Sequence, residues 1–336
     1  MRCTELADAS IRTYFVPQSL DGLDDAMTLG RPDSSGPAFE AMMADIDAKL
    51  KVEGTEIPNR PLLAVREVSM EYNLSIPLGG PSEGLPDDLR ENVDLAEAIR
   101  QWYDDNYGDR IKTDFCPGMA VVDLDGDLYE MRVPRIFGEA RFVLSREWIP
   151  NPGIMRGPAL CNIVQLASDM TPAKAARLTD TALRGLGEMF EIAVPALYTL
   201  ESTSHRLMHI ARGDVAVAVR SLLDLGGRYG ESKWASLQTA EKVLKAAIDK
   251  KGATFKFTHG LGQLCDDLRA CGLRFDAAAQ VAAIQCKPGI RYGDEPCTRD
   301  EALRAHHASL ELVNILRKAG AEFELGIGGL TPEHRS

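Results

Sequence analysis

Five segments with the apolar spacing of amphipathic helices follow one another in the second half of this 336-residue chain. They predict helices at 204–226, 232–251, 258–272, 275–285 and 299–319. Short connections place neighbouring helices antiparallel, so this half is expected to form an up-and-down bundle. A further helix from Thr171 towards Val194 starts with a threonine N-cap followed by proline, and it is expected to end before Pro195.

The first half of the chain mixes loop, helix and strand patterns. Residues 17–37 have the composition of a loop, and a helix is predicted from Ala38 to about Val52. Apolar and polar residues alternate over 68–76, which predicts a strand with one buried face. Helical spacing returns over 85–105.

A hairpin signal completes the first half, because Val121–Leu124 and Leu128–Val133 flank Asp-Gly-Asp. The fold class is therefore predicted to be α+β, with an N-terminal antiparallel sheet and a C-terminal helical bundle. The predicted divisions are an α+β domain at 1–170, a connecting helix at 171–203, a helical domain at 204–319 and a flexible tail at 320–336.

Composition narrows the class of protein. The net charge is −12, yet residues 205–318 contain 18 Lys and Arg against 13 Asp and Glu. This asymmetry suits an anion-binding module joined to an acidic partner domain, and chance explains it equally well. Seven scattered cysteines without a CxxC pair predict reduced thiols in a cytoplasmic protein. The sequence shows no secretion signal or membrane span, and it predicts neither a metal nor a cofactor.

The last helix begins with a capping box, Thr298 to Glu301. Arg299 and His306 are seven residues apart and project within about 20° of each other along its apolar face. Burying an arginine and an imidazole there is costly unless a phosphate or the polar groups of a partner subunit hydrogen-bond them. A histidine buried in the core or at an interface is the more frequent reason for such a position. His307 is expected to point elsewhere, into solvent.

Two further groups carry charge in this half. Lys242 and Lys245 are predicted to face outward from helix 232–251, as phosphate contacts or as a solvated surface. Arg291 and Tyr292 lie on a loop constrained by glycine and proline. They suit phosphate or nucleotide recognition, or the arginine stacks on its own tyrosine.

The ordered set of motifs in this half resembles one family. "AEKVLKAAI", "THGLGQL", "IRYG" and "TRDEALRAHHASLELVNIL" occur in the order typical of HEPN domains (higher eukaryotes and prokaryotes nucleotide-binding) and cover about residues 205–318. The resemblance implies a helical bundle that forms a homodimer through its C-terminal helices, with a polar cleft near the interface. It also implies nucleotide or RNA binding.

One large branch of that family cleaves RNA without a metal, through an arginine, the polar residue after it and a histidine. Arg299, Asp300 and His306 match this pattern at its longest spacing. Chains with the Thr-His-x-Leu and Arg-Tyr signature generally belong to the nucleotide-binding branch. Thr258 is expected to be an N-cap, so that His259 opens the next helix as a neutral group that fixes the turn or contacts a ligand.

The predicted function is thus HEPN-like nucleotide or RNA binding, with ribonuclease activity as its catalytic form. The context would be a toxin–antitoxin, stress or phage-defence system with a cognate antitoxin or nucleotidyltransferase-like partner. The alternative is a non-catalytic dimerising adaptor whose N-terminal domain binds a protein. His205 and His209 lie four residues apart, but no third metal ligand accompanies them.

Overall fold

The computed structural model describes residues 30–77, 85–112, 115–136, 139–150, 159–255 and 258–326, with the backbone of Tyr14–Phe15. By its internal contacts the chain divides into two compact units, Met1–Asp114 and Phe115–Ser336. This division precedes the hairpin, whereas the sequence suggested a boundary near residue 170. Each unit has its own cluster of buried apolar side chains.

The first unit consists mainly of three helices around a small core. Its elements are β1 Tyr14–Phe15, α1 Gly36–Val52, α2 Arg60–Glu71, β2 Ile76–Pro77 and α3 Asp87–Tyr107. β1 and β2 form a short antiparallel pair. Met43, Val68, Ile99 and Tyr103 are fully buried where the helices meet. The helices predicted at 38–52 and 85–105 are confirmed.

The strand predicted at 68–76 is wrong, because most of this segment belongs to α2 or to the turn that follows it. Pro61 lies in the first turn of α2, where proline is well tolerated. Ala64, Val65 and Val68 are buried with helical spacing, while Met70 is 58% exposed. The helical spacing of apolar residues that begins near Pro61 therefore determines the structure of this segment, and the short apolar–polar alternation does not.

The second unit is a set of packed helices with a β-hairpin. Its strands are β3 Met119–Leu124, β4 Asp127–Arg132, β5 Ala140–Val143 and β6 Ala159–Asn162. Its helices are α4 Pro172–Ala175, α5 Asp180–Ser202, α6 Arg206–Leu223, α7 Tyr229–Lys250, α8 Leu261–Ala270, α9 Ala278–Ile284 and α10 Arg299–Lys318. All five helices predicted between 204 and 319 are present, most with shorter ends.

The predicted hairpin is confirmed. β3 and β4 pair antiparallel from Met119 opposite Arg132 to Leu124 opposite Asp127. Asp125 and Gly126 form the turn with positive φ angles of 58° and 95°, the backbone that a two-residue type I′ turn requires. β3 packs against α5, α6 and α10. The hairpin is therefore part of the core of the helical unit.

The α+β class is confirmed in a mainly helical form. The described strands form three two-stranded pairs, and β5 pairs with β6 in parallel instead of joining an antiparallel sheet. None of the helices in the described part of the chain combines the length and the apolar character needed to cross a bilayer.

The single helix predicted from Thr171 towards Val194 is divided into α4, which ends at Ala175, and α5, which begins at Asp180. Helix α5 continues through Pro195 to Ser202, so the predicted end near Val194 is also wrong. Proline removes one helical hydrogen bond. The surrounding core holds the helix together, since Val194, Ala196 and Leu197 are buried. Asn314 of α10 also donates its side-chain amide to the carbonyl of Ile192, at 2.8 Å.

Part of the predicted flexible tail is held in place. Ala321 is fully buried, and the amide of Glu324 donates to Oγ1 of Thr203 at 3.0 Å. Lys251 forms an ion pair with Glu322 at 2.6 Å. Residues 327–336 of that tail lie outside the described residues.

Gly230 is expected to be intolerant of any side chain. A Cβ there would lie 2.1 Å from the carbonyl oxygen of Ile290, in the short 3-10 turn Pro288–Tyr292. We expect Gly230→Ala to lower the free energy of unfolding by about 2–3 kcal/mol, because helix and turn must separate. Denaturant unfolding measures this change.

Gly213 on α6 provides a matched control, since a Cβ there would meet no atom within 4 Å. We expect Gly213→Ala to raise stability by about 0.5–1 kcal/mol through helix propensity. Equal effects of the two substitutions would contradict the close packing at Gly230.

Candidate functional site

Arg299 is bound to the hairpin turn. Helix α10 begins at Arg299, and both hydrogen bonds of the predicted capping box between Thr298 and Glu301 are present. The Arg299 guanidinium donates to Gly126 O at 2.7 Å and to Asp123 Oδ2 at 3.0 Å. Its Nε donates to Asp300 Oδ1 at 3.1 Å. Arg299 therefore joins the start of α10 to the tip of the hairpin.

His306 and His307 hold the edge of β3 that does not pair with β4. His306 Nε2 accepts from the amide of Val121 at 3.2 Å, and His307 Nε2 donates to the carbonyl oxygen of Val121 at 2.7 Å. Two imidazoles thus satisfy both backbone groups of one residue at a strand edge, groups that would be costly to bury unpaired. The expectation that His307 lies in solvent is wrong.

Burial changes the titration of both rings. His306 is fully buried, which lowers its pKa to about 3, and the neighbouring His307 acts in the same direction. Burial also lowers the pKa of His307, against the opposing effect of its bond to Val121. Both histidines are neutral structural groups at physiological pH.

Two of the three predicted catalytic residues, Arg299 and His306, thus contact the hairpin. Arg299 and Asp300 bond to each other, and the His306 ring has no exposed surface. While the hairpin is in place, a ribose hydroxyl has no access to His306. The geometry speaks against catalysis through these three residues.

A second set of charged groups is centred on Glu241 of α7. Glu241 Oε1 accepts from Lys245 at 2.6 Å, and Glu241 Oε2 lies 2.6 Å from His259 Nδ1. Glu241 and Lys245 are only 6% and 7% exposed. Lys245 thus lies in the interior, and the prediction that it faces outward is wrong. Two of the predicted ligand contacts, Lys245 and His259, meet at one buried carboxylate.

Lys242 extends this set towards α6. It forms an ion pair with Asp214 at 2.6 Å and donates to Gln238 Oε1 at 3.1 Å. Gln238 Nε2 donates to Glu241 Oε2 at 3.3 Å. Burial raises the pKa of Asp214, and the Lys242 charge acts in the opposite direction. Below, the Glu241 cluster means Asp214, Gln238, Glu241, Lys242, Lys245 and His259.

His259 is the exposed member of the Glu241 cluster, with 57% of its side chain accessible. Its ring lies 5.5 Å from that of Trp234, inclined at 60°. Helix α8 begins at Leu261, whose amide donates to Gln285 Oε1 at 2.9 Å, so Thr258 is not the N-cap. His259 therefore lies in the loop before α8, fixed by its carboxylate partner.

Arg291 and Tyr292 lie apart from the Glu241 cluster. The Arg291 guanidinium lies 5.6 Å from the centroid of the Tyr292 ring, which is 73% exposed. Their turn contacts α7 at Gly230, and a helix rises 1.5 Å per residue, so Lys242 is roughly 18 Å farther along α7. The five predicted ligand contacts therefore form two separate groups.

The sequence interpretation missed Asp214, Gln238 and Glu241, and it assigned Trp234 only to packing. The four-residue spacing of Glu241 and Lys245 was the available signal, since such pairs meet on one helix face. The contact with Asp214 depends on how α6 packs on α7, which no local pattern indicates. His205, the former metal candidate, caps α6 and lies 2.9 Å from Asp249.

Comparison with known proteins adds no relative. No protein-family model matches the sequence, and neither the curated proteins nor the solved structures contain a significant match. No relative therefore supports the assignment of the candidate site, which is based on the positions of its own residues.

Proposed function

We propose that the second unit is a HEPN-like nucleotide- or RNA-binding module and that its ligand lies at His259. The ordered motifs between 205 and 318 support the class of ligand. The Glu241 cluster supports the position, since it brings together three of the residues that the motifs suggested.

The proposal depends on one observation: the exposed imidazole of His259 is hydrogen-bonded to the buried carboxylate of Glu241. Burying Glu241 and Lys245 has a desolvation cost that well-packed apolar side chains would avoid. Their effect is to orient the ring of His259 beside Trp234 while more than half of the His259 side chain stays exposed. An oriented imidazole next to an indole can hydrogen-bond a nucleoside that stacks on the aromatic surface.

Ribonuclease activity through Arg299, Asp300 and His306 is left out of the proposal, because Arg299 and His306 bind the hairpin and His306 is fully buried. A homodimer through the C-terminal helices follows from the family resemblance alone. The same holds for a toxin–antitoxin, stress or phage-defence role and for a cognate antitoxin or nucleotidyltransferase-like partner.

Calorimetric titration of the full chain with ATP, GTP and a short single-stranded RNA tests the proposal. We expect at least one of them to bind and His259→Ala to weaken it about tenfold, the value of one good hydrogen bond. His209→Ala, on the exposed side of α6, is the matched control and should leave the affinity unchanged. Absence of binding by all three ligands contradicts the proposal.

The same RNA tests cleavage. Cleavage that is lost in both Arg299→Ala and His306→Ala would show that the hairpin opens and that the predicted nuclease residues act. We expect the RNA to remain intact.

The adaptor is the second candidate, and a groove in the first unit favours it. A cavity of about 560 Å³ lies between α2 and α3, with apolar lining from Leu62, Val65, Ala96 and Ile111. Leu62 is 53% exposed there. Binding of a protein at this groove, without nucleotide binding by the second unit, is the result that selects the adaptor.

A further inference from the structure

The bond to Glu241 determines which nitrogen of His259 carries hydrogen. Glu241, paired with Lys245, is a carboxylate and can only accept. His259 Nδ1, 2.6 Å from Glu241 Oε2, must therefore be the donor. In the neutral ring the other nitrogen, Nε2, then holds a lone pair. No described residue hydrogen-bonds Nε2, and more than half of the side chain is exposed.

The neighbouring cations are already neutralised. Lys245 is paired with Glu241 and Lys242 with Asp214, both at 2.6 Å. The side chain of Lys242 is 16% exposed and that of Lys245 is 9% exposed. A phosphate that reached either lysine would have to displace a close carboxylate and leave that carboxylate buried without its partner. The Glu241 cluster is therefore poorly suited to hold an anion.

The remaining features of the surface suit an uncharged ligand group. In the neutral ring with hydrogen on Nδ1, Nε2 is an acceptor, and its partner is then a hydroxyl or an N–H group. The adjacent ring of Trp234 is partly exposed and offers an aromatic surface for a base.

We propose that His259 binds an uncharged hydrogen-bond donor of a nucleoside, either a ribose hydroxyl or a nucleobase N–H, and that the phosphate lies elsewhere. The inference rests on the proposed nucleotide binding and deepens it. It replaces the expectation that Lys242, Lys245 and His259 together hold phosphate.

Competition titrations against the nucleotide that binds best test this inference. The unphosphorylated nucleoside should bind within about threefold of its monophosphate, because little affinity comes from the phosphate. Inorganic phosphate and pyrophosphate should not compete at millimolar concentration. His259→Ala should weaken nucleoside and nucleotide equally, by about tenfold.

Modified nucleosides then identify the donor. Loss of affinity by the 2′-deoxy or 3′-deoxy compound assigns a ribose hydroxyl, and loss on N-methylation of the base assigns a base N–H. The modified nucleoside with reduced affinity lacks the group that His259 binds, so it should bind wild type and His259→Ala with the same affinity. Glu241→Gln, which can donate to Nδ1 and so reverse the ring tautomer, should also abolish the discrimination while His259 remains.

Two results overturn the inference. One is competition by pyrophosphate as strong as that by the nucleotide. The other is equal binding of all the modified nucleosides to the wild-type protein. In both cases nucleotide binding itself survives, whereas failure of every nucleoside and nucleotide to bind rejects the proposed function.

Discussion

Replacing Lys245 with methionine is expected to lower the free energy of unfolding by about 3–5 kcal/mol, because Glu241 is left as a buried charge without its cation. The two side chains lie 2.6 Å apart on α7, and both are almost fully buried. Methionine preserves most of the volume of the lysine stem, so the loss reports charge and not a cavity. Denaturant unfolding at neutral pH measures it.

Two further variants distinguish the loss of the ion pair from a general effect of substituting lysine in α7. Lys250→Met, in the last turn of α7, should change stability by less than about 1 kcal/mol. The double variant Glu241→Leu with Lys245→Met should recover most of the wild-type stability, because apolar residues of similar volume can replace a buried ion pair. It should also bind ligand as weakly as His259→Ala. A double variant that stays as unstable as Lys245→Met would contradict this account.

Acid is expected to destabilise the second unit through His306. The unfolded histidine titrates near pH 6.5, whereas burial lowers the pKa of the folded group to about 3. The unfolded state therefore binds the proton first, and stability is lost as the pH falls from about 6.5 towards 3. One such group contributes about 1.4 kcal/mol per pH unit, or about 3 kcal/mol by pH 4.5. His307 acts in the same direction.

Unfolding curves of wild type and His306→Gln at several pH values check this prediction. Glutamine can still accept from Val121 but does not titrate, so the decline between pH 7 and pH 4.5 should shrink by about 3 kcal/mol. His209→Gln should keep the wild-type decline. If His306→Gln is too unstable to measure, His307→Gln should show a smaller reduction of the same sign. Parallel curves for wild type and both variants would contradict the burial of neutral imidazoles.

The helices of the second unit and its hairpin could be predicted from the sequence because their signals are local. Helical spacing, the Thr298 capping box and the Asp-Gly turn each depend on a few consecutive residues. The segment at 68–76 was wrongly predicted as a strand because its local alternation was short and packing within the first unit favoured α2. Packing of Val194, Ala196 and Leu197 in the core likewise favours a continuous α5 across Pro195.

Only some residues of the candidate site could be predicted from the sequence. His259, Lys242 and Lys245 stood out by residue type and by the motifs around them, but their carboxylate partners looked like ordinary surface charge. The role of His306 depended on Val121, which lies 185 residues earlier in the chain. Sequence spacing placed Arg299 and His306 on one helix face correctly and could not show that a hairpin covers that face.

The covering of α10 by the hairpin determines where the chain can be cut for separate study. A fragment that began at residue 204, where the predicted helical domain begins, would lack β3 and expose His306 and His307 with the apolar surface around them. The second unit begins at Phe115, and the backbone of Cys116 and Pro117 is held by Arg212 of α6. Excision at that point keeps the hairpin packed over His306, so it is the boundary from which the isolated second unit should be expressed.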